Sequence, residues 1–354
     1  MISLTSPTYP LKMKKTLTFP IENADSKARL GKSLERRIPM KRPIYPFFII
    51  LMIFFALFLP SSEAQQFVSF GTGTEGGLYY IWGGGWAKVM NKALQGVEVT
   101  AESTGGSTAN CQLIERGKLQ LGFSLAQVTY DMYADKKMKN LRALFPAYPG
   151  YYYFYALKKS GLKTIYDING KDIGYVKGLH DTTVRIFETI GVKPAKSHIL
   201  THAATVEGLQ DGILHCSAVI GPEKWPGLTS IEATHEIQFL TMTEKDIQAI
   251  LKAFHAYRKG VVPKGSYKAL SDKPYETVVD WNLILANKNL SEEIAYKLVK
   301  ATYESNPDLV AVHPVSSAAK VENVMNTPIP LHPGTIKYLR ELKISIPPSL
   351  ISTE

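Results

Sequence analysis

The sequence predicts an α/β protein of two lobes joined by two chain crossings, and three observations carry that expectation. From Gln65 onward, strand-like and helix-like segments alternate, the repetition that builds a parallel sheet with helices on both faces. A second α/β series starts after the β-prone run Tyr151–Leu157 (YYYFYAL). A late strand, Thr277–Ala286 (TVVDWNLILA), then leads back, so the chain leaves the first lobe at about residue 150 and returns at about 280. Two crossings make a hinge rather than a loose linker. The lobes are therefore 65–150 with 281–354, and 151–280.

In order, Phe67–Gly71 reads as the first strand. Leu78, Ile81, Trp82, Trp86, Val89, Met90 and Ala93 then recur at helical spacing, which marks an amphipathic helix. Val97–Glu102 is the next strand, and a helix from Thr108 to about Arg116 stops at Gly117. Leu119–Leu125 and Leu141–Tyr148 follow as strands. In the second series Ile173–Val176 is a strand and Asp181–Ile190 a helix closed by Gly191 and Pro194. Ala204–Gln210 and Glu244–Phe254 read as helices, with the strand Ser217–Ile220 between them. After the returning strand, Ser291 caps a helix with Glu292 and Glu293 in its first turn, where acids favour the positive helix end.

Ahead of this lies Phe47–Leu59 (FFIILMIFFALFL), preceded by Lys41 and Arg42 and followed by Ser62-Glu63-Ala64. A basic start, a short apolar core and a small-x-small site describe a secretory signal peptide over 40–64, cleaved after Ala64. Thirteen apolar residues make a helix of about 20 Å, short of the roughly 30 Å hydrocarbon core. Residues 1–39 show no apolar periodicity and form an extension, or come from a start placed too early. Residues 1–64 hold 10 of the basic and 4 of the acidic residues, so the mature chain is close to +4 rather than +10. That mild charge, with no basic stripe interleaved with aromatics, excludes a nucleic-acid partner. Cys111 and Cys216 fall in different lobes, where a bridge would lock the hinge; they are expected to be unpaired, buried thiols.

Two glycine-rich turns carry the functional reading. Gly71–Tyr80 (GTGTEGGLYY) leads from a strand into a helix, and Ser103–Asn110 (STGGSTAN) repeats the design one strand later. Glycines let the backbone approach a ligand and leave N–H groups at a helix start for an anion. Adjacent parallel strands end at one sheet edge, so both turns face one cleft. Ser107 suits the N-cap, and Asn110 lies one turn in. Gln127 emerges at the same edge with an amide that donates and accepts. From the second lobe, Thr182 and Thr183 offer hydroxyls across the cleft, or are simply the start of a helix capped by Asp181. Arg185 could pair with a carboxylate or lie on a solvated face, and Trp225 could pave the cleft or fill the core. H-E-x-x-H, G-x-S-x-G, P-loop and C-x-x-C signatures are missing. No catalytic residue, metal or cofactor is predicted. A secreted hydrolase using Cys111 as nucleophile is the weaker alternative.

These motifs resemble the TAXI family of solute-binding proteins, the extracytoplasmic receptors of tripartite ATP-independent periplasmic (TRAP) transporters. The resemblance spans about residues 66–343. Besides the two turns it rests on LIERGKLQLGFSLAQ, on TVVDWNLILANKNLSEEIAYKLVKATYES and on the C-terminal signature Ile329–Glu341. It implies a type II periplasmic-binding-protein fold whose lobes close on the ligand, a periplasmic location, and delivery to a separate, ion-gradient-driven permease. By position it implies that Thr74, Gly77, Tyr79, Ser107, Asn110, Gln127, Thr182 and Thr183 line the cleft. Pro330, His332, Pro333 and Gly334 are expected to fix the C-terminal turn instead. Glu75 departs from the family pattern, as do Lys268 after Tyr267 and the Gly178-Leu-His-Asp turn. An inward Glu75 would attract an ammonium group or repel a second carboxylate. The expected solute is a small carboxylate, an amino acid such as glutamate or a dicarboxylate, and the receptor a monomer. A receptor of an ATP-driven importer, or a sensor, is the alternative on the same fold.

Overall fold

The computed structural model describes residues 65–175 and 179–352. The expected extension over 1–39, the expected signal peptide over 40–64 and Gly178 lie outside the described residues.

The first half runs β1 (Gln66–Gly71), α1 (Leu78–Ala93), β2 (Val97–Glu102), α2 (Ser107–Glu115), β3 (Leu121–Leu125) and α3 (Ala126–Ala134). β4 (Leu141–Leu157) follows, then β5 (Asp172–Tyr175), α4 (His180–Ile190), β6 (Lys196–Ile199), α5 (His202–Gln210) and β7 (Cys216–Gly221). α6 (Pro226–Thr234), β8 (Ile237–Phe239), α7 (Glu244–Ala253) and β9 (Arg258–Val262) complete the second half. β10 (Tyr275–Asn287) returns the chain to α8 (Glu292–Glu304), α9 (Asn306–Val312) and α10 (Pro333–Glu341).

The local rules are visible in the packing. Along β1, Val68 and Phe70 are buried while Phe67 is 66% exposed, the two-residue alternation of a strand. On α1, Trp82, Trp86 and Met90 recur every four residues and are all buried. Each indole N–H finds an acceptor: Trp82 donates to Ser316 Oγ at 2.8 Å and Trp86 to Thr302 Oγ1 at 2.9 Å. Large rings therefore enter the core without leaving a polar group stranded.

The strands form one sheet in the order β2-β1-β3-β10-β4-β7-β5-β6, with β8 on β4 and β9 on β10. The expected α/β class and its two crossings are observed, with one difference. The sheet is mixed rather than parallel, because β10 runs antiparallel to β3 and β4, and β4 antiparallel to β7. One crossing leaves and the other returns, so they must run in opposite directions. β2-β1-β3 and β7-β5-β6 stay parallel on either side.

A second difference concerns β4. The expected strands 141–148 and 151–157 are one 17-residue strand. Its register against β10 shifts between Asn282 and Leu283 and again between Ile284 and Leu285. At each shift β4 carries one extra residue, Ala147 and Leu144, so the chain bulges where Pro146 and Pro149 cannot donate to the ladder. On either side of these strands the core divides between the halves: Phe70, Trp86, Phe123 and Leu298 centre one cluster, Phe154, Ile173, Phe187 and Ile250 another.

Candidate functional site

Six of the described helices begin at one cavity of ≈ 460 Å³. Gly77 and Leu78 bring α1, Gly106 and Ser107 bring α2, and Leu125 brings α3. From the second half Leu179, His202 and Trp225 bring α4, α5 and α6. The cause is topological: the flanking parallel strands end at this edge, and each is followed by a helix whose first turn faces the gap. Tyr148 and Gly150 of β4 and Asn282 of β10 form its floor.

The first N–H groups of a helix have no acceptor within it. Here α1, α2, α3, α4 and α6 carry no side-chain hydrogen bond at the N-cap. α5 is capped by Thr201, which accepts from the Ala204 N–H, and the start of α3 is met from β10, where Asp280 Oδ1 accepts from the Gln127 N–H at 3.0 Å. The expected cap at Ser107 is moved one residue back to Gly106, at φ 81° and ψ −154°. That conformation is essentially closed to residues with a Cβ. Ser107 instead accepts from the Leu125 N–H at 3.1 Å, tying the start of α2 to the end of β3.

The rest of the wall is apolar and aromatic. Leu78, Leu125, Val128, Leu179, Val219 and Ile220 contribute aliphatic groups. Tyr79 stacks on Phe123 with centroids 4.3 Å apart, and its hydroxyl donates to Asn282 Oδ1 at 2.7 Å. Asn282 in turn donates to the Tyr148 carbonyl at 3.1 Å, which fixes its amide. Burial holds the Tyr79 hydroxyl well above its usual pKa, with Ser107 pulling back and Asp280 adding to the rise. His202 meets the Trp225 ring at 4.4 Å, and burial lowers its pKa, against a backbone bond at Gly227; it is a neutral ring near pH 7. Among the described residues no Lys, Arg, Asp or Glu side chain lines the cavity.

Of the residues singled out by sequence, Thr74, Gly77, Tyr79, Ser107 and Trp225 meet on this wall. The others do not reach it. Asn110 is fully buried, donating to the carbonyls of Gly71, Thr72 and Phe123 and accepting from Thr104 Oγ1 at 2.7 Å. It sutures the bases of both glycine turns. Gln127 is buried on the far side of α3, where its Nε2 donates to Asp131 and its Oε1 accepts from the Ala256 N–H. Thr183 is buried with its hydroxyl 3.5 Å from that of Tyr152, and Thr182 lies half-buried off the wall. Arg185 pairs with Asp131 at 3.1 Å and covers the Phe254 ring. Glu75 is exposed and off the wall, so it does not present its carboxylate to the cavity.

Asp280 lies beneath the floor, 1% exposed. Its Oδ1 accepts from the Gln127 N–H at 3.0 Å. Burial pushes its carboxyl up to about 8, against the backbone bonds of Gln127 and Ala126 and helped by Asp131. Sequence reading missed Leu125, Val128, Leu179, His202 and the Val219–Pro222 turn. The rule applied to Gly71 and Gly105, that a parallel strand's end faces the cleft, would have found Gly221-Pro222 after β7. Tyr148 and Asn282 gave no signal, because a polar residue inside a long strand looks like any other.

Cys111 and Cys216 are free and buried, as expected. No described cluster of three or more His, Cys, Asp or Glu is placed to hold a metal ion. No described helix is long and apolar enough to cross a membrane. A family model for NMT1-like proteins matches residues 70–342. Among solved structures, a chloride-bound protein of Xanthomonas citri is 7% identical, with TM-score 0.48 over 78% of this chain and 95% of its own. A protein assigned as the periplasmic sulfonate-binding component of an ABC transporter in Methylobacillus flagellatus is 12% identical, with TM-score 0.47 over 80% and 96%. The probable extracellular-binding protein of an amino-acid ABC transporter from Bacillus subtilis is 13% identical, with TM-score 0.47 over 72% and 98%.

Proposed function

The chain belongs to the NMT1-like family, and from that premise we propose that it is an extracytoplasmic receptor holding a small organic anion between two lobes, 65–150 with 281–354 and 151–280. The single observation behind this reading is the convergence of six helix starts, four without a side-chain acceptor, on one ≈ 460 Å³ cavity. Each helix end favours negative charge by about 0.3–1 kcal/mol, more where water is excluded. The apolar wall favours a hydrocarbon body. With Glu75 off the wall and no described acid on it, an ammonium group has no partner there. Carboxylates without an amine suit the cavity better than glutamate does.

The Cys111 hydrolase alternative fits poorly, since burial raises that thiol to about 11 and a thiol, unlike a thiolate, is a poor nucleophile. Export through the 40–64 leader would place the receptor where it meets its solute. Delivery to a TRAP permease rests on the sequence motifs, and an ATP-driven importer is the competing partner. Uptake by the reconstituted system separates them: an ion gradient alone suffices for the first, and ATP is required for the second.

A thermal-shift screen of the purified exported protein tests the binding itself. A solute at 100 times its Kd stabilises by about 2.7 kcal/mol. Shifts with carboxylates or sulfonates and none with neutral sugars are expected. Shifts with sugars alone reject the anion reading.

A further inference from the structure

We infer that the solute extends past the six helix starts into a second chamber, and is therefore an elongated organic anion with its charged head in the first cavity and an apolar tail in the next. This rests on the receptor reading above. A second cavity, of ≈ 520 Å³, adjoins the first, and Tyr148 and Pro222 line both. Its floor is the same strand β4, through Pro149 and Tyr151. One wall is the 222–226 turn of the second half, and the other is the 313–318 segment of the first half. The two cavities are thus consecutive stretches of one cleft between the same halves.

The threshold between them is rigid. Tyr153 Oη donates to the carbonyls of Pro222 and Glu223 at 2.9 and 3.0 Å. The Trp225 N–H donates to Tyr267 Oη at 2.8 Å, and Ser266 Oγ to Glu223 Oε1 at 2.8 Å. A turn held by four hydrogen bonds is a fixed sill, over which a ligand must lie, rather than a loop that folds into the gap.

The chemistry of the second chamber differs from that of the first. Pro149, Pro226, Pro314, Val315 and Ala318 give it a stiff apolar surface. Its charged lining residues are Glu223, which accepts from Ser266, and the exposed Lys224. His313 Nδ1 accepts from the Val315 N–H at 3.2 Å. Five of the six helix starts line the first chamber alone, which places the negative head there and the hydrocarbon tail against the prolines of the second.

Calorimetric titration of the full chain with straight-chain monocarboxylates from butanoate to decanoate tests this. Affinity is expected to rise about fourfold per methylene, the ratio that roughly 0.8 kcal/mol per buried CH₂ gives. Ser317→Trp, at an exposed position on the second chamber's wall, should flatten the rise for the long acids and leave butanoate unchanged. Unchanged butanoate binding also reports that the variant is folded, and Ser317→Ala should keep the full rise. Binding of short acids with no gain along the series, or a gain that Ser317→Trp does not touch, overturns the second chamber and leaves the receptor reading standing. Failure of every carboxylate and sulfonate to bind removes the receptor reading, and this inference with it.

Discussion

Replacing Asp280 with Asn should stabilise the protein, by an amount that grows with pH. The carboxyl is 1% exposed and titrates at about 8 in the folded chain against 3.8 for the free side chain. Below that lower value both states hold the proton, and the group costs nothing. Between the two values the unfolded chain has released a proton that the folded chain keeps, so stability falls as pH rises, by about 1.4 kcal/mol per unit. Above about 8 both states are ionised, and the loss is constant. At pH 7 it has reached about 4 kcal/mol. Asn keeps an Oδ1 to accept the Gln127 N–H but carries no charge, so the variant escapes the loss. Unfolding the 292 residues from Glu63 to Glu354 has an entropy of about 0.6 kcal/mol/K, which turns 4 kcal/mol into a melting-point gain of about 7 °C. Calorimetric scans of both proteins between pH 4 and 8.5 measure it. The gap should be near zero at the acid end and widen steadily. A gap of the same size at pH 4.5 and pH 8 would refute the reasoning, because it would mean that Asp280 carries its charge in the fold throughout.

Asn110→Ala strips the donor from three buried carbonyls at 2.8–3.1 Å and should cost about 3 kcal/mol in urea unfolding; a loss under 1 kcal/mol contradicts the suturing role. Gly106→Ala forces a Cβ onto φ 81°, ψ −154°, which should cost roughly 1–3 kcal/mol and weaken anion binding by displacing the start of α2. Melting temperature and a carboxylate titration read the two effects. Glu75→Gln, at an exposed position off the cavity wall, should change solute affinity less than twofold, and a tenfold change would place that carboxylate at the ligand after all.

What the sequence disclosed, and what it hid, follows from the range of the interactions involved. Local signals were readable: the spacing of Trp82, Trp86 and Met90, the glycines before α1 and α2, and the acids opening α8 all act within a turn or two of their own backbone. The unity of β4 was hidden, because Pro146 and Pro149 normally interrupt a strand, and only pairing with β10 shows that bulges absorb them. Helix α3 follows β3 with no intervening turn residue, so nothing marks its start. Asn110 was placed on the right helix but at the wrong depth, and Gln127 was placed at the end of β3 without the helix that carries it. A polar side chain one residue from a cleft serves the ligand or the backbone beneath it according to which way the helix is rotated, and that rotation is set by packing.

The continuous ladder through β4 and β10 has a mechanical consequence. Two pleated ribbons bonded edge to edge from Leu141 opposite Asn287 to Tyr151 opposite Val279 behave as a leaf spring rather than a pivot. Any swing of one half against the other is resisted in proportion to its amplitude and is returned when the load is lifted. The compliance sits where the bonding is sparsest, at the two bulges around Leu144 and Ala147. Changing the stiffness of those few residues would tune that resistance without touching a residue that lines the ≈ 460 Å³ cavity.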